Sequence, residues 1–262
     1  MTLAAIAYAG RGVARPRYHS NDTSGDRLDI RPVQMDIRDA RGLEMTLDGA
    51  GFALCAHRSA VADFANRLDP VHRQEIVGLV GALSGADLVL VNNPGVLRFS
   101  ERSAKSGTLD NSRPARFAHV DISDATAAAF AHRAAPEGRR VSRFAHYNVW
   151  RVLSNPPQDV PLAVCDARSV RPADLIAADA VFNSPNQPEW SFEGIVLAHD
   201  PAHRWHWYSD MTREEVLVFK TNDSDPERAH CVPHVAFDNP DAGPQAPPRA
   251  SIEMRAIAFW FG

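Results

Sequence analysis

Lysine is nearly missing from this chain. It stands only at Lys105 and Lys220, and arginine supplies the rest of the 28 basic residues. Against 32 acidic residues these leave a formal net charge of -4. No basic stripe is present of the kind that tracks a phosphate backbone, so nonspecific nucleic-acid binding is not expected. Cysteine is scarce as well. Cys55, Cys165 and Cys231 are odd in number and unevenly spaced, which gives neither a disulfide framework nor a paired metal motif. Free thiols in a reducing cytosol are the expectation. No apolar run approaches the roughly 20 residues of a membrane span, so no membrane partner is expected. The start, Met1 to Ala9, is mildly apolar but has no basic leader before it, and it does not read as a signal peptide. A glycine-rich strand–turn–helix for a nucleoside cofactor is absent too. What the chain does have is bulk: 262 residues, 45% of them hydrophobic, suffice for a full core.

Along the chain, residues 10–26 read as loop, and Val33 to Ile37 and Phe52 to His57 as short strands. Asp69-Pro70 is a helix start, an N-cap followed by proline at the first helical position. Ile76, Leu79, Val80 and Leu83 give that helix an apolar face. Ala86 to Val91 reads as a strand. Ser100 to Pro114 is polar and turn-rich, a surface loop placed to close over a site. From Ala115 the pattern becomes strands punctuated by proline and glycine turns. One helix, Ser123 to Arg133, lies among them, and Asp174 to Ala180 reads as a second short helix. About eight such strands predict a mainly β fold with flanking helices, a jelly roll of the double-stranded β-helix type. Residues 1–114 are then an N-terminal α/β extension packed on a catalytic core of residues 115–262, the two forming one domain.

The chemistry centres on Phe117-Ala118-His119-Val120-Asp121. In a strand, alternation puts His119 and Asp121 on one face and Val120 on the other. A further histidine, His234 in Val232 to Phe237, would complete a two-His, one-carboxylate triad with open positions for O2 and a second ligand. The competing reading is a buried hydrogen-bonded pair and an unrelated surface histidine. About 15 residues beyond His234 come Arg249 and Ser251, a guanidinium fork and a hydroxyl suited to a carboxylate. The order H-x-D, then H, then R-x-S is what a 2-oxoglutarate-dependent iron oxygenase requires. Arg255 shares the parity of Arg249 and competes for the anchoring role. Asn148 and Trp150 share a face that Arg151 opposes. Asn148 or Arg151 is a candidate contact of co-substrate or substrate, unless Arg151 bridges to an acid such as Asp166. Asp166 and Arg168 read as a structural ion pair. His199, His203 and His206 do not share a face and give no second metal site.

These runs occur in the order found in the CmcJ/AsaB family, which includes the fungal gibberellin desaturases, and the chain resembles it. The matching segments are His119 to Asp121, Tyr147 to Arg151, Pro161 to Val170, His203 to Met211, Glu215 to Lys220, Pro233 to Phe237 and Arg249 to Arg255. Two positions depart from the family: Ala250 stands where glutamate is usual, and His206 where tyrosine is more usual. The resemblance implies iron(II) on His119, Asp121 and His234, with 2-oxoglutarate as co-substrate reaching Arg249. It implies hydroxylation or desaturation of a small organic metabolite, with O2 consumed and succinate and CO2 released. The alternatives are a non-catalytic jelly-roll ligand-binding protein and a cupin-like metal dioxygenase that does not use 2-oxoglutarate. Substrate identity and oligomeric state are not legible.

Overall fold

The computed structural model describes residues 1–184 and 187–262. In chain order the strands begin with β1 (Thr2–Ala9), β2 (Arg17–His19), β3 (Ile30–Asp39), β4 (Phe52–Ala56), β5 (Leu88–Leu90) and β6 (Val96–Phe99). They continue with β7 (His119–Val120), β8 (Val141–Val152), β9 (Leu162–Cys165), β10 (Leu175–Phe182) and β11 (Trp190–Leu197). The last four are β12 (Trp205–Trp207), β13 (Glu215–Asp223), β14 (His234–Ala236) and β15 (Ala250–Phe261). Two α-helices interrupt them, α1 (Pro70–Ser84) and α2 (Asp124–Ala134). One sheet has nine strands in the order β1-β3-β12-β9-β14-β7-β11-β10-β2. The other runs β4-β13-β8-β15-β5, with β6 also paired to β15. Residues 2–99 therefore supply strands to both sheets.

The frame of the smaller sheet is the antiparallel pair β8 and β15. Its register sets Ser251 opposite Val152, Glu253 opposite Trp150 and Arg255 opposite Asn148. Cross-strand partners share a face, so these six point together into the molecule. The alternate residues Tyr147, Val149, Met254, Ala256 and Ala258 point outward and are buried against Ile76 and Val80 of α1. That helix starts where the sequence indicates. The Asp69 carboxylate accepts from Val71 N at 2.8 Å, proline follows at the first position, and Gly85 ends it at φ 66. Leu83, expected on the apolar face, is 39% exposed, one turn past the packed residues.

Between the sheets Phe52, Trp150, Leu217 and Phe219 of the smaller meet Leu162, Val164 and Tyr208 from the larger. The nine-stranded sheet also rolls on itself. Ala118 N donates to Ala7 O at 2.8 Å, and Ile6, Tyr8, Ile37, Trp205 and Phe237 fill the curl.

Three elements differ from expectation. Asp174 to Ala180 is not a helix; a short 3-10 turn, Pro172–Asp174, leads into β10. Alanine favours helix locally, and pairing with β11 and β2 overrides that preference. The loop expected over residues 10–26 contains β2, which joins β10 in parallel. Met1 to Ala9, read only as mildly apolar, forms β1, with Ala4, Ile6 and Tyr8 alternating inward. Among the described residues no helix is long and apolar enough to cross a membrane.

Candidate metal centre and co-substrate pocket

His119 of β7 and His234 of β14 are directly opposite each other on neighbouring antiparallel strands. Their ring centroids lie 4.3 Å apart. Each ring is turned by its own chain. His119 Nδ1 donates to Phe117 O at 2.9 Å, and His234 Nδ1 donates to Val232 O at 3.2 Å. A proton held on Nδ1 leaves the Nε2 lone pair free, the tautomer a metal ligand needs. Both Nε2 atoms face Asp121 Oδ1, at 3.5 and 3.7 Å. These separations exceed a hydrogen bond, and they suit donors placed around one ion at about 2 Å from each. His119, Asp121 and His234 are buried, and among the described residues they are the one group of three or more such side chains that could hold a metal.

The second oxygen of Asp121 is held from behind. Asn148 Nδ2 donates to Oδ2 at 2.8 Å, and an Arg255 Nη2 lies 3.4 Å from it. Burial works against the carboxylate charge. Arg255 and the facing His119 and His234 outweigh it and hold the Asp121 pKa well below the usual range. Burial, helped by His234, pushes the His119 pKa down. An ionised carboxylate beside imidazoles that each present a free Nε2 is the donor set a divalent cation requires.

Arg249 and Ser251 are each 1% exposed. Arg249 Nε, Arg249 Nη2 and Ser251 Oγ have no hydrogen-bond partner among the described residues. Burial, with Arg98 nearby, pushes the Arg249 pKa down to about 9. A buried fork of donors left without an acceptor, next to an equally unpaired hydroxyl, matches one missing carboxylate. Both residues stand on the inner face of β15 and its entry, the face that also carries Arg255 behind Asp121.

Known proteins share this arrangement of chain. A family model described as an oxidoreductase/YMDC permease-like domain matches residues 10–259. The hydroxylase/desaturase CTB9 of Cercospora beticola is 33% identical over 89% of this chain and 78% of its own. The Fe(II)/2-oxoglutarate-dependent dioxygenase nvfI of Aspergillus novofumigatus is 31% identical over 70% of this chain and 64% of its own. The chain belongs to this family of iron(II)/2-oxoglutarate-dependent oxygenases. The oxygenase also superposes on the solved iron and alpha-ketoglutarate-dependent endoperoxidase NvfI with a TM-score of 0.83, covering 99% of this chain and 98% of that one at 24% identity. That likeness establishes the jelly-roll fold.

The remaining residues singled out from the sequence divide cleanly in the oxygenase. Asn148 joins the centre, but at Asp121 rather than in the Arg249 pocket. Arg151 does not join it. Its guanidinium lies on the far side of the sheet, where Nη1 donates to His57 O at 2.8 Å and also to Arg213 O. Nor does Arg151 bridge to Asp166, which instead pairs with Arg168 at 2.7 Å and Arg204 at 3.1 Å. Arg255 is occupied by Glu253 at 2.8 Å and by Asp121, so it is not a free anchor. His203 is tied to Tyr8 and Asp174, and His206 donates to its own chain at Arg204 O. His206, the departure from the family, shares the face of Val164 and His234 across β12, β9 and β14.

A cavity of about 580 Å³ opens onto the centre, lined by His119, Asp121, Arg255, Arg98, Tyr18 and Phe192 among others. The loop 100–114 supplies part of its wall through Glu101, Ser103, Ser106 and Arg113. A second lobe of about 310 Å³ shares Asp121, Phe192 and Arg255 and adds Phe130, Trp190 and Ile257. Sequence reasoning missed Arg98 and Tyr18. The one signal for Arg98 was a single charge set within the apolar run Val96-Leu97-Arg98-Phe99.

Proposed function

We propose that His119, Asp121 and His234 hold the iron(II) of this oxygenase, and that Arg249 and Ser251 bind the far carboxylate of its 2-oxoglutarate. One observation carries the assignment: two Nε2 atoms and a carboxylate oxygen face a common point, while an unpartnered guanidinium and hydroxyl lie buried on the face that backs Asp121. The enzyme is an iron(II)- and 2-oxoglutarate-dependent dioxygenase of small organic, secondary-metabolite-like substrates, hydroxylating or desaturating them. When bound, the iron, 2-oxoglutarate and O2 together supply oxidation of an unactivated C–H bond, with succinate and CO2 released.

The residues of the chain provide the setting. The Phe117 and Val232 carbonyls fix both imidazoles as Nδ1–H tautomers. Asn148 holds Asp121 Oδ2, so that Oδ1 is the oxygen presented to the metal. Arg249 and Ser251 orient the co-substrate along the inner face, which fixes its keto-acid end relative to the histidines. The cavity walls then choose which C–H bond is presented, and so which product forms. Arg151, turned away, keeps a structural role. The three free thiols support a cytosolic location, and the formal net charge of -4 supports a small molecule, not a nucleic acid, as partner.

Anaerobic titration with iron(II) and 2-oxoglutarate tests this reading. The wild type is expected to develop the weak visible charge-transfer band of the chelate. His119→Ala, Asp121→Ala and His234→Ala should lose it, and Arg249→Ala should need far more 2-oxoglutarate to reach it. A band that survives in all three ligand variants would refute the assignment.

A further inference from the structure

Arg98 is a cation that neither the metal centre nor the co-substrate pocket uses. It sits on β6 opposite Ser251, so it projects to the same inner face. Its Nη1 is satisfied by loop 100–114, donating to Arg113 O at 2.7 Å and Asn111 Oδ1 at 3.0 Å. The rest of the guanidinium lines the large cavity. Among the described residues no carboxylate lies within ion-pair distance of it, whereas Arg255 and Arg116 of the same wall are occupied and Arg113 stands exposed on the loop. Arg255 is held by Glu253 and Asp121, and Arg116 by Glu101 and Asp238. A guanidinium fixed by its neighbours through one nitrogen, and open to a cavity through the others, is a preorganised anion site.

One wall is apolar, alongside the polar Ser20, Thr23, Glu101, Ser103 and Ser106 that also line the cavity. Phe182 stacks on Trp190 at a centroid distance of 4.4 Å and on Phe192 at 5.2 Å. Phe192 lies between the two lobes, and Trp190 remains 51% exposed, a large ring left open at the mouth. Flat apolar surface of this kind takes a ring or chain skeleton.

We propose that the substrate is an amphiphilic acid, with its carboxylate docked on Arg98 and its apolar skeleton on the Phe182, Trp190 and Phe192 stack, so that Arg98 determines specificity. This rests on the oxygenase reading of the centre. It makes Arg98 a substrate anchor distinct from Arg249. The loop 100–114 is then coupled to binding, because the same guanidinium holds both.

The test uses protein loaded anaerobically with iron(II) and saturating 2-oxoglutarate, with the chelate band recorded first. Anthracenecarboxylate and its neutral methyl ester are then titrated, following fluorescence polarisation of the probe. The wild type is expected to bind the acid about ten- to hundredfold more tightly than the ester, the effect of a charge-assisted hydrogen bond pair. Arg98→Gln should bring that ratio near one and leave the ester's affinity within about twofold. A wild-type ratio near one, or an Arg98→Gln ratio equal to the wild type's, overturns the proposal. Absence of the chelate band strikes at the metal reading instead, and the acid–ester ratio is still read on the iron-free protein. If Arg98→Gln fails to fold, wild-type crystals soaked in bromobenzoate decide by the anomalous signal of bromine. A carboxylate on Arg98 supports the anchor, and one seated elsewhere overturns it.

Discussion

Replacing Arg249 with methionine should make the empty enzyme more stable while removing its co-substrate. The guanidinium is 1% exposed, and its Nε and Nη2 have no partner among the described residues. Burial pushes its pKa down to about 9, and at 1.36 kcal/mol per unit the charged form is held against a penalty of about 5 kcal/mol. Methionine matches the aliphatic stem and brings no charge. Exchanging a buried ion for an apolar side chain of similar volume stabilises by about 1–4 kcal/mol, and that gain is expected for the apo Arg249→Met protein. The liganded comparison runs the other way. At about a hundred times its Kd, 2-oxoglutarate adds about 2.7 kcal/mol to the iron-loaded wild type and should add almost nothing to the variant. Urea unfolding followed by far-UV circular dichroism, with and without iron(II) and 2-oxoglutarate, measures both. An apo variant less stable than wild type by about 1 kcal/mol or more would show that the guanidinium has protein partners, and the co-substrate assignment would lose its main support.

Three further outcomes follow from the same geometry. Asn148→Leu removes the donor on Asp121 Oδ2 and should weaken iron(II) binding about ten- to hundredfold by chelator competition, and unchanged affinity would refute the supporting role. Gly194→Ala would place a Cβ 2.6 Å from Tyr18 Oη and 3.0 Å from Asp121 O. The backbone oxygen belongs to Asp121, a proposed metal ligand, and cannot yield freely, so a stability loss of about 1–3 kcal/mol together with weaker iron binding is expected in paired titrations. His146 is buried, its Nε2 donating to Ala127 O at 3.0 Å, and burial pushes its pKa down to about 4. Between about pH 6.5 and 4 the unfolded chain takes a proton that the folded one refuses. The part of the stability due to His146 should therefore be full above about pH 6.5 and fall by about 3 kcal/mol as the pH drops toward 4. His146→Gln should flatten that fall in urea titrations at successive pH values, and identical slopes in the two proteins would contradict the burial argument.

Reading the chain alone reached far where the information was local. The cap at Asp69-Pro70 acts within one helical turn, and α1 begins there. Asp174 to Ala180 shows the limit. Its alanines favour helix locally, and that preference was overridden by pairing with the following strand β11 and with β2, which is far away in sequence. The same holds for Asn148 and Arg151. Alternation alone separates them onto opposite faces, but only the packing of α1 on one side of β8 says which face is inside. Arg98 lay outside every motif, because its meaning comes from a cavity formed by β2, β10, β11 and the loop 100–114.

What the amino-acid order determined by itself, then, was the donor inventory: an imidazole and a carboxylate two residues apart, one later histidine, and an Arg-x-Ser pair, all set in strand-forming surroundings that match an oxygenase family. The tertiary structure decided which donors meet. Pairing of β7 with β14 brings together histidines more than a hundred residues apart, and the register of β8 against β15 puts Asn148 and Arg255 behind Asp121. The physical reason is that side-chain alternation is a property of a few consecutive residues. Sheet register and the direction of inward and outward faces are properties of the whole packed chain.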